Sequence, residues 1–236
     1  MEVFGVIAAR KGSQGLPGKH LIRIMGKPMI GHVIEDCLKS KLLTKLVLST
    51  NDEELIELTS PYNIGVVKRP DTLATDTSPI EDALRHAIRS VYVKNIPDIA
   101  VLFQGNIPKR KGGMVDRVIK VLQEDSALDS AVTVYCPDPH IYSLKTEVNS
   151  LLVPVFKENE IYRRQDVMGK YYLIDGAVNA IRTKTLMETE GSVGTHLYLG
   201  ERIKGVEQEK EYGLEVDTQK DLELARFYMS KRLTGR

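Results

Sequence analysis

The feature that most constrains the fold is an alternation of strand-length apolar runs with amphipathic helical stripes. Several runs are apolar at successive positions, as strands of a parallel sheet covered on both faces require. One stripe follows Pro28 and another starts at Ile80, each with the spacing of a helix face. This order predicts a doubly wound, mostly parallel Rossmann-like α/β sheet with helices on both faces and a ligand crevice at the carboxyl ends of its strands. The predicted strands are 3–9, 45–49, 64–68, 99–103 and 130–135, with a later strand at 171–181.

Composition excludes several classes of protein. The 236 residues are enough for one large α/β domain, which we expect to span 1–236. With 33 basic and 32 acidic residues the net charge is +1, which argues against nucleic acid or an anionic membrane as partner. Cys37 and Cys136 lack the spacing of a disulfide scaffold or a zinc site. The chain enters a strand at once and has no apolar run near the roughly 20 residues of a membrane span, so we expect a cytoplasmic protein.

A glycine-rich, basic loop follows the first predicted strand and runs from Ala9 to Lys19 (A-R-K-G-S-Q-G-L-P-G-K). Its glycines let backbone N–H groups turn toward an anion, and Arg10, Lys11 and Lys19 can neutralise phosphate charge. That chemistry suits a nucleoside triphosphate. The glycine spacing matches neither the P-loop nor the dinucleotide fingerprint. Taken alone, the loop is therefore either a phosphate-binding loop or a solvated connection between strand and helix.

This loop and the G-K-P-M-I segment after it resemble the start of the CMP-sialic acid synthetase (acylneuraminate cytidylyltransferase) family. The family pattern is approximately A-R-x-G-S-K-G-L-P-x-K-N-L, followed by G-K-P-L-I. Gln14 stands where Lys is usual, and His20 where Asn is usual. The matching loop positions are Arg10, Gly12, Ser13, Gly15, Leu16, Lys19 and Leu21.

Four later segments resemble the same family in the same order, so the resemblance runs from Val6 to Leu224. Segment 102–110 keeps the glutamine, proline and arginine of L-x-Q-P-T-S-P-L-R but loses its P-T-S core. The four segments are 69–78 (R-P-x-x-L-A-x-D), 102–110, 163–177 (R-R-Q-D…Y…N-G-A) and 215–222 (I-D-x-D-T-x-x-D-L).

The resemblance implies three groups of site residues. Arg10, Lys19 and Asp217 are the predicted catalytic residues. The predicted nucleotide-binding residues are Ala8, Ala9, Arg10, Gly12, Ser13, Gly15, Lys19, His20, Arg69 and Asp76. The predicted acceptor-binding residues are Gln104, Asn106, Arg110, Lys145, Arg164, Gln165 and Asn179. Arg69 and Arg110 could equally pair with local acids, the commoner arrangement for such side chains.

Asp217 is the predicted ligand of a divalent cation, because it matches the metal position of the family. Mg²⁺ takes oxygen ligands and keeps several waters, so one or two carboxylates suffice. Glu215 lies two residues earlier, on the same face of an extended segment, and can join it. The same acids, followed by Thr218 and Asp221, are also typical of a helix N-terminus, and the pattern alone leaves both interpretations open.

Residues 137–170 break the strand–helix rhythm with short strand-like pieces and turn residues. An extended arm of this kind cannot bury both of its faces by itself. It is either a surface hairpin on its own subunit or a contact with another chain. The resemblance implies the second: an inserted dimerisation arm that makes the protein a homodimer and reaches the partner's active site.

Taken together, the resemblance implies a Mg²⁺-dependent nucleotidyltransferase of the cytidylyltransferase type. It would couple CTP to an acidic sugar, such as a sialic-acid-like nonulosonate, and release pyrophosphate. A KDO-like sugar or a phosphonate is an alternative acceptor. The departures at His20, Asn106 and Glu215 also leave open a catalytically impaired nucleotide-binding homologue.

Overall fold

The computed structural model describes residues 1–12, 14–137, 141–156 and 170–231. The strands within these ranges are β1 (Val3–Ala8), β2 (Arg23–Ile24), β3 (Lys27–Pro28), β4 (Lys45–Thr50), β5 (Gly65–Lys68), β6 (Ile99–Gln104), β7 (Ser130–Tyr135), β8 (Lys145–Val148), β9 (Leu151–Pro154), β10 (Leu173–Arg182) and β11 (Ile203–Glu207). The helices are α1 (Met29–Leu38), α2 (Glu53–Thr59), α3 (Ile80–Val91), α4 (Met114–Glu124), α5 (Thr183–Glu188) and α6 (Gln219–Ser230).

Seven strands form one central sheet in the order β11-β7-β10-β6-β1-β4-β5. Only β10 runs antiparallel to its neighbours, β6 and β7; every other pair in this sheet is parallel. The predicted mostly parallel, Rossmann-like fold and its six strands are therefore confirmed. Strand β11 was not predicted, because four of its five residues are exposed and it carries no continuous apolar run.

Helices cover both faces of this sheet, as the apolar runs require. Along β1, Val3 and Ile7 face the layer that contains α1 and α4, whereas Phe4 and Val6 face the layer that contains α3. Because side chains alternate across a strand, a run that is apolar at every position must be buried on both sides. The glycine-rich loop leaves this core at the carboxyl end of β1.

A smaller apolar cluster brings the C-terminal region to the same end of the sheet. Val216, together with Leu222 and Ala225 of α6, packs against Ile24 and Met29. Helix α6 begins with a capping box, in which the Thr218 hydroxyl accepts from the Asp221 backbone N–H and the Asp221 carboxylate accepts from the Thr218 backbone N–H. The segment before α6 thereby reaches the glycine-rich loop.

The hairpin β8–β9 lies apart from the central sheet and is exposed along almost its whole length. It is the part of the predicted arm (137–170) that the structure describes most fully; residues 138–140 and 157–169 lie outside the described ranges. In the portions of the chain that are described, no helix has the length and apolar character needed to cross a membrane.

Candidate active site

A cavity of about 190 Å³ opens at the carboxyl ends of β1 and β6, where the fold predicts a ligand crevice. The ends of β1 and β6 and the loops after them supply one part of its walls, and the segment between β5 and the start of α3 supplies the rest. Its lining residues are Ala8, Arg10, Gly12, Lys19, His20, Arg69, Leu73, Ser78, Ile80, Gln104 and Asn106. Six of them were predicted to bind nucleotide, and two to bind the acceptor.

The glycine-rich loop is held over the cavity by polar groups from two other loops. Asn51, just after β4, accepts a hydrogen bond from the Lys11 backbone N–H (2.7 Å). Asp76 forms an ion pair with Arg10 and accepts from Gln14 Nε2 at 2.6 Å. These bonds, led by that from Arg10, lower the pKa of the Asp76 carboxyl. Asp76 thus holds Arg10 at the rim.

Arg69 is a buried cation anchored by uncharged groups. Its side chain donates to the Ser49 hydroxyl (3.1 Å) and to the Ser49 carbonyl (2.8 Å), and the residue is 5% exposed. Among the described residues no carboxylate forms an ion pair with it. Burial, reinforced by the charge of Arg10, lowers its pKa to about 10, so the guanidinium stays charged at neutral pH. It therefore presents a fixed positive charge that an anionic ligand can use.

His20 lies buried between the cations of this site. Burial, together with the charges of Lys19, Arg69 and Arg10, lowers its pKa to about 3. Its imidazole is therefore neutral at physiological pH. A neutral ring offers one donor and one acceptor, which suits an uncharged polar group better than a phosphate.

An acidic side of the site faces Lys19. Lys19 Nζ lies 2.5 Å from Asp217 Oδ1, and Asn106 Nδ2 donates to the same oxygen at 3.0 Å. Burial acts to raise the pKa of Asp217, but the Lys19 and Asn106 contacts outweigh it and lower that pKa. Burial, with the nearby charge of Asp217, raises the pKa of Glu215. Asp217 and Glu215 thus lie close together, with pKa values shifted in opposite directions.

Two glycines permit the close approaches that assemble this site. A Cβ at Gly15 would lie 2.4 Å from the Asp217 carbonyl oxygen, so a larger residue would push the glycine-rich loop off the acidic segment. Gly176 has φ +69°, and a Cβ there would lie 2.2 Å from Gln104 Nε2. The Gln104 side chain also acts to lower the pKa of Glu215, against the larger effect of burial, so the end of β6 lies near the acids.

Arg110 does not occupy the place predicted for it. It is 2% exposed, and its Nε, Nη1 and Nη2 donate to the carbonyl oxygens of Ala177, Ile107 and Gln104. With all three nitrogens engaged inside the protein, it cannot bind an acceptor; it joins β6, the following loop and β10. The structure corrects this prediction.

Other predicted residues lie outside the cavity lining. Ala9 is buried and donates its backbone N–H to Ser49. Lys145 is exposed on β8. Asn179 is buried in β10, where it donates to the Tyr198 hydroxyl at 3.2 Å, while its own Oδ1 has no hydrogen-bond partner among the described residues. Its role toward an acceptor stays a prediction. Ser13, Arg164 and Gln165 fall outside the described residues.

Sequence reasoning missed uncharged residues that position the site or form a wall of the cavity. Ser49 anchors Arg69, and Asn51 holds the glycine-rich loop. Leu73, Ser78 and Ile80 form a wall of the cavity. For Ser49 and Asn51 the available signal was position, because they lie at the carboxyl end of a predicted strand, whereas Leu73 and Ser78 lie in the family-like segment 69–78.

Together, the fold and the cation-lined cavity define an α/β protein of the nucleotide-binding class. A family model described as cytidylyltransferase matches residues 4–227. The chain therefore belongs to the cytidylyltransferase family, and the predicted family resemblance is confirmed.

Three curated relatives indicate the range of this family. The chain is 29% identical over 225 residues to an N-acylneuraminate cytidylyltransferase of Streptococcus agalactiae serotype V (94% of this chain, 52% of the relative). It is 32% identical over 135 residues to a 3-deoxy-manno-octulosonate cytidylyltransferase of Bdellovibrio bacteriovorus (57% and 51%). It is 26% identical over 196 residues to a CMP-N,N'-diacetyllegionaminic acid synthase of Legionella pneumophila (80% and 82%). The matched region thus spans about half the length of the first two relatives.

Solved structures agree on the fold. The structure of a CMP:2-keto-3-deoxy-manno-octonic acid synthetase complexed with CTP superposes with a TM-score of 0.76 at 24% identity, over 98% of this chain and 100% of that one. A 4-diphosphocytidyl-2C-methyl-D-erythritol synthase from Anaerococcus prevotii gives a TM-score of 0.69 at 15% identity. Both likenesses concern the architecture of the chain.

Proposed function

We propose that this protein couples CTP to an acidic sugar, giving a CMP-linked sugar and pyrophosphate. One observation carries the proposal: Arg10, Lys19 and Arg69 converge on one cavity of a cytidylyltransferase-family chain, and the acids Asp217 and Glu215 stand beside Lys19. In this reaction a sugar hydroxyl oxygen bonds to the α-phosphorus, its proton is released, and the bond to pyrophosphate breaks. Bringing two anions together makes charge neutralisation the main demand on the site.

The cations have separate tasks in this proposal. Arg69 supplies a fixed charge at the cavity wall, because Ser49 already holds it in place. Arg10 exchanges Asp76 for a phosphate when the nucleotide binds. Backbone N–H groups of the glycine-rich loop add donors to the triphosphate. The neutral His20 contacts an uncharged part of the nucleotide, which its low pKa favours over phosphate.

The acids fit a magnesium ion that takes few ligands from the protein. In the ranges that the structure describes, no group of three or more His, Cys, Asp or Glu residues could hold a metal by itself. Mg²⁺ usually keeps its waters and binds through one or two carboxylates plus substrate phosphates. The Asp217 carboxylate is half exposed and has Glu215 as its neighbour. Bound there, Mg²⁺ would neutralise charge that develops on the phosphates.

The acceptor class is proposed as a sialic-acid-like nonulosonate, in keeping with two of the three relatives above. An eight-carbon KDO-like acid is the second choice, because the third relative carries that name. Gln104 lines the cavity and can donate to a polyhydroxylated sugar.

Reaction profiling tests the activity. The purified protein is mixed with Mg²⁺, CTP and one acid at a time: an N-acylneuraminate, a diacetyllegionaminate, a 3-deoxy-manno-octulosonate or a phosphonate. We expect pyrophosphate release and a CMP-linked product with one acid and CTP, and much less with UTP. CTP binding without pyrophosphate release from any acid would instead indicate the impaired homologue.

We also propose that the protein is a homodimer whose arms meet. Leu151 and Leu152 of β9 are 68% and 74% exposed, and Val148 of β8 is 49% exposed. A two-stranded hairpin with such apolar side chains in water gains stability by packing against another surface. Light scattering at micromolar concentration should give a dimer, and Leu152→Asp should weaken it. A monomer for the unaltered chain would contradict this proposal.

A further inference from the structure

We propose that Asn106 is a positioning residue for Asp217, and that it orients this carboxylate for binding the proposed Mg²⁺ ion. The inference rests on the proposed function. It differs from the sequence prediction, in which Asn106 contacts the acceptor.

The first observation is that Asn106 holds the acidic segment at two points. Its carbonyl oxygen accepts from the Val216 backbone N–H at 2.9 Å, and its Nδ2 donates to Asp217 Oδ1 at 3.0 Å. Asn106 itself is 9% exposed and follows Gly105, whose N–H is bonded to the Ala8 carbonyl oxygen (3.0 Å). The backbone contact fixes where the segment runs, and the side-chain contact fixes how the Asp217 carboxylate is turned.

The second observation is that both donors to Asp217 reach the same oxygen. Lys19 Nζ and Asn106 Nδ2 both contact Oδ1, and no hydrogen bond from a described residue reaches Oδ2. The Asp217 side chain is 50% exposed, so its Oδ2 is open to a ligand. The Asn106 amide is uncharged. It therefore gives the carboxylate a second hydrogen bond without neutralising its negative charge, and the carboxylate can still attract a cation. Donors that orient a metal-binding carboxylate commonly matter for metal affinity.

A direct contact between Asn106 and the acceptor is the competing explanation, because Asn106 also lines the cavity. The two roles predict different measurements. A positioning role appears before any acceptor is added, whereas an acceptor contact changes only the KM for the acid.

The quantity to measure is the factor by which Mg²⁺ strengthens CTP binding, obtained by calorimetry with Mg²⁺ and with EDTA, in the absence of acceptor. Asn106→Ala removes the side-chain contact and keeps the backbone one. We expect it to reduce this factor about tenfold. Asp217→Asn should reduce it by at least as much, and Asn106→Ala should cause no further loss in the Asp217→Asn background. General damage to the loop would weaken CTP binding in EDTA as well and would cancel in the ratio.

Ser78→Ala is the matched control. Ser78 lines the same cavity, but within the described ranges its hydroxyl hydrogen-bonds only to Thr72 and Thr75. It should leave the Mg²⁺ factor unchanged. The proposal is overturned if Asn106→Ala leaves the factor unchanged, if the two losses multiply in the double variant, or if Mg²⁺ does not strengthen CTP binding to the unaltered protein. Pyrophosphate release by the unaltered protein reports separately on the proposed function.

Discussion

The two ion pairs of the site, Arg10 with Asp76 and Lys19 with Asp217, are built differently. Arg10 and Asp76 have side chains 31% and 47% exposed, at the rim of the cavity. Lys19 is only 12% exposed, and its partner Asp217 is also held by Asn106. An exposed pair is worth about 0–1 kcal/mol, so a phosphate can displace Asp76 at little cost. The Lys19–Asp217 pair, with its buried lysine and a second donor to Asp217, is fixed before any ligand binds. One pair is therefore suited to exchanging partners and the other to holding geometry.

The largest expected effect is a loss of turnover when the Lys19–Asp217 pair is changed. Asp217→Asn should lower turnover by roughly 10²-fold at saturating Mg²⁺, because it removes a charge needed in the transition state, a loss of about 3 kcal/mol. Steady-state kinetics with CTP and the best acid measures it. Asp76→Asn is the comparison variant and should change turnover by less than about threefold, as expected for an exposed pair. Equal losses in the two variants would remove the distinction between the pairs.

The next largest expected effect is weaker CTP binding when a basic side chain of the glycine-rich loop is removed. Lys19→Ala and Arg10→Ala should each weaken CTP binding about tenfold, since hydrogen bonds to charged groups contribute about 1.5–3 kcal/mol. Calorimetry at fixed salt measures the dissociation constant. Lys39→Ala removes an exposed lysine paired with Asp36 outside the cavity, and it should leave CTP binding unchanged. CTP affinity unchanged in both loop variants would rule out the phosphate-binding assignment.

A smaller effect concerns Glu215 in catalysis. Glu215→Gln should leave measurable turnover and mainly raise the Mg²⁺ concentration needed for half-maximal rate, because Asp217, the main ligand in our proposal, remains. Glu215→Asp keeps the charge and should be tolerated. A Glu215→Gln variant as inactive as Asp217→Asn would show that the two acids share the task equally.

The smallest effect is on stability and depends on pH. Burial raises the pKa of Glu215, so the folded protein bears a penalty once this carboxyl ionises. Below its unfolded pKa the group is protonated in both states and Glu215→Gln changes little. As pH rises through the raised pKa, the penalty appears, and Glu215→Gln should become the more stable protein. Thermal unfolding at acid and neutral pH measures this, with exposed Glu223→Gln as the control. Greater stability of the unaltered protein at neutral pH would contradict it.

The parts of the molecule that the sequence predicted are those with local causes. Buried strands such as β1 and β6 are visible because each is apolar at successive positions, and the stripe of α3 follows from helix spacing. The side chains expected to bind phosphate could be predicted because glycines and basic residues lie together in one loop. These features need only near neighbours in the chain.

The rest depends on contacts between distant residues. Arg110 carries the same charge as Arg69, and only the fold decides that one is buried among carbonyl oxygens and the other lines a cavity. The helix N-terminus interpretation of the acids is confirmed, because Thr218 and Asp221 form the capping box of α6. Asp217 contacts Lys19, and its role as a metal ligand stays a prediction. No pattern in the sequence indicates that Asn106 faces Asp217, since the pair is separated by 111 positions.

The contact between Lys19 and Asp217 joins residues 198 positions apart. During synthesis the glycine-rich loop leaves the ribosome well before its acidic partner, because the partner lies 198 positions later in the chain. Strands β1, β4 and β6 can pair earlier, but the loop cannot close against Asp217 until that segment emerges. The proposed nucleotide site is thus completed only after these strands have been made, so CTP would not stabilise the growing chain while they pair.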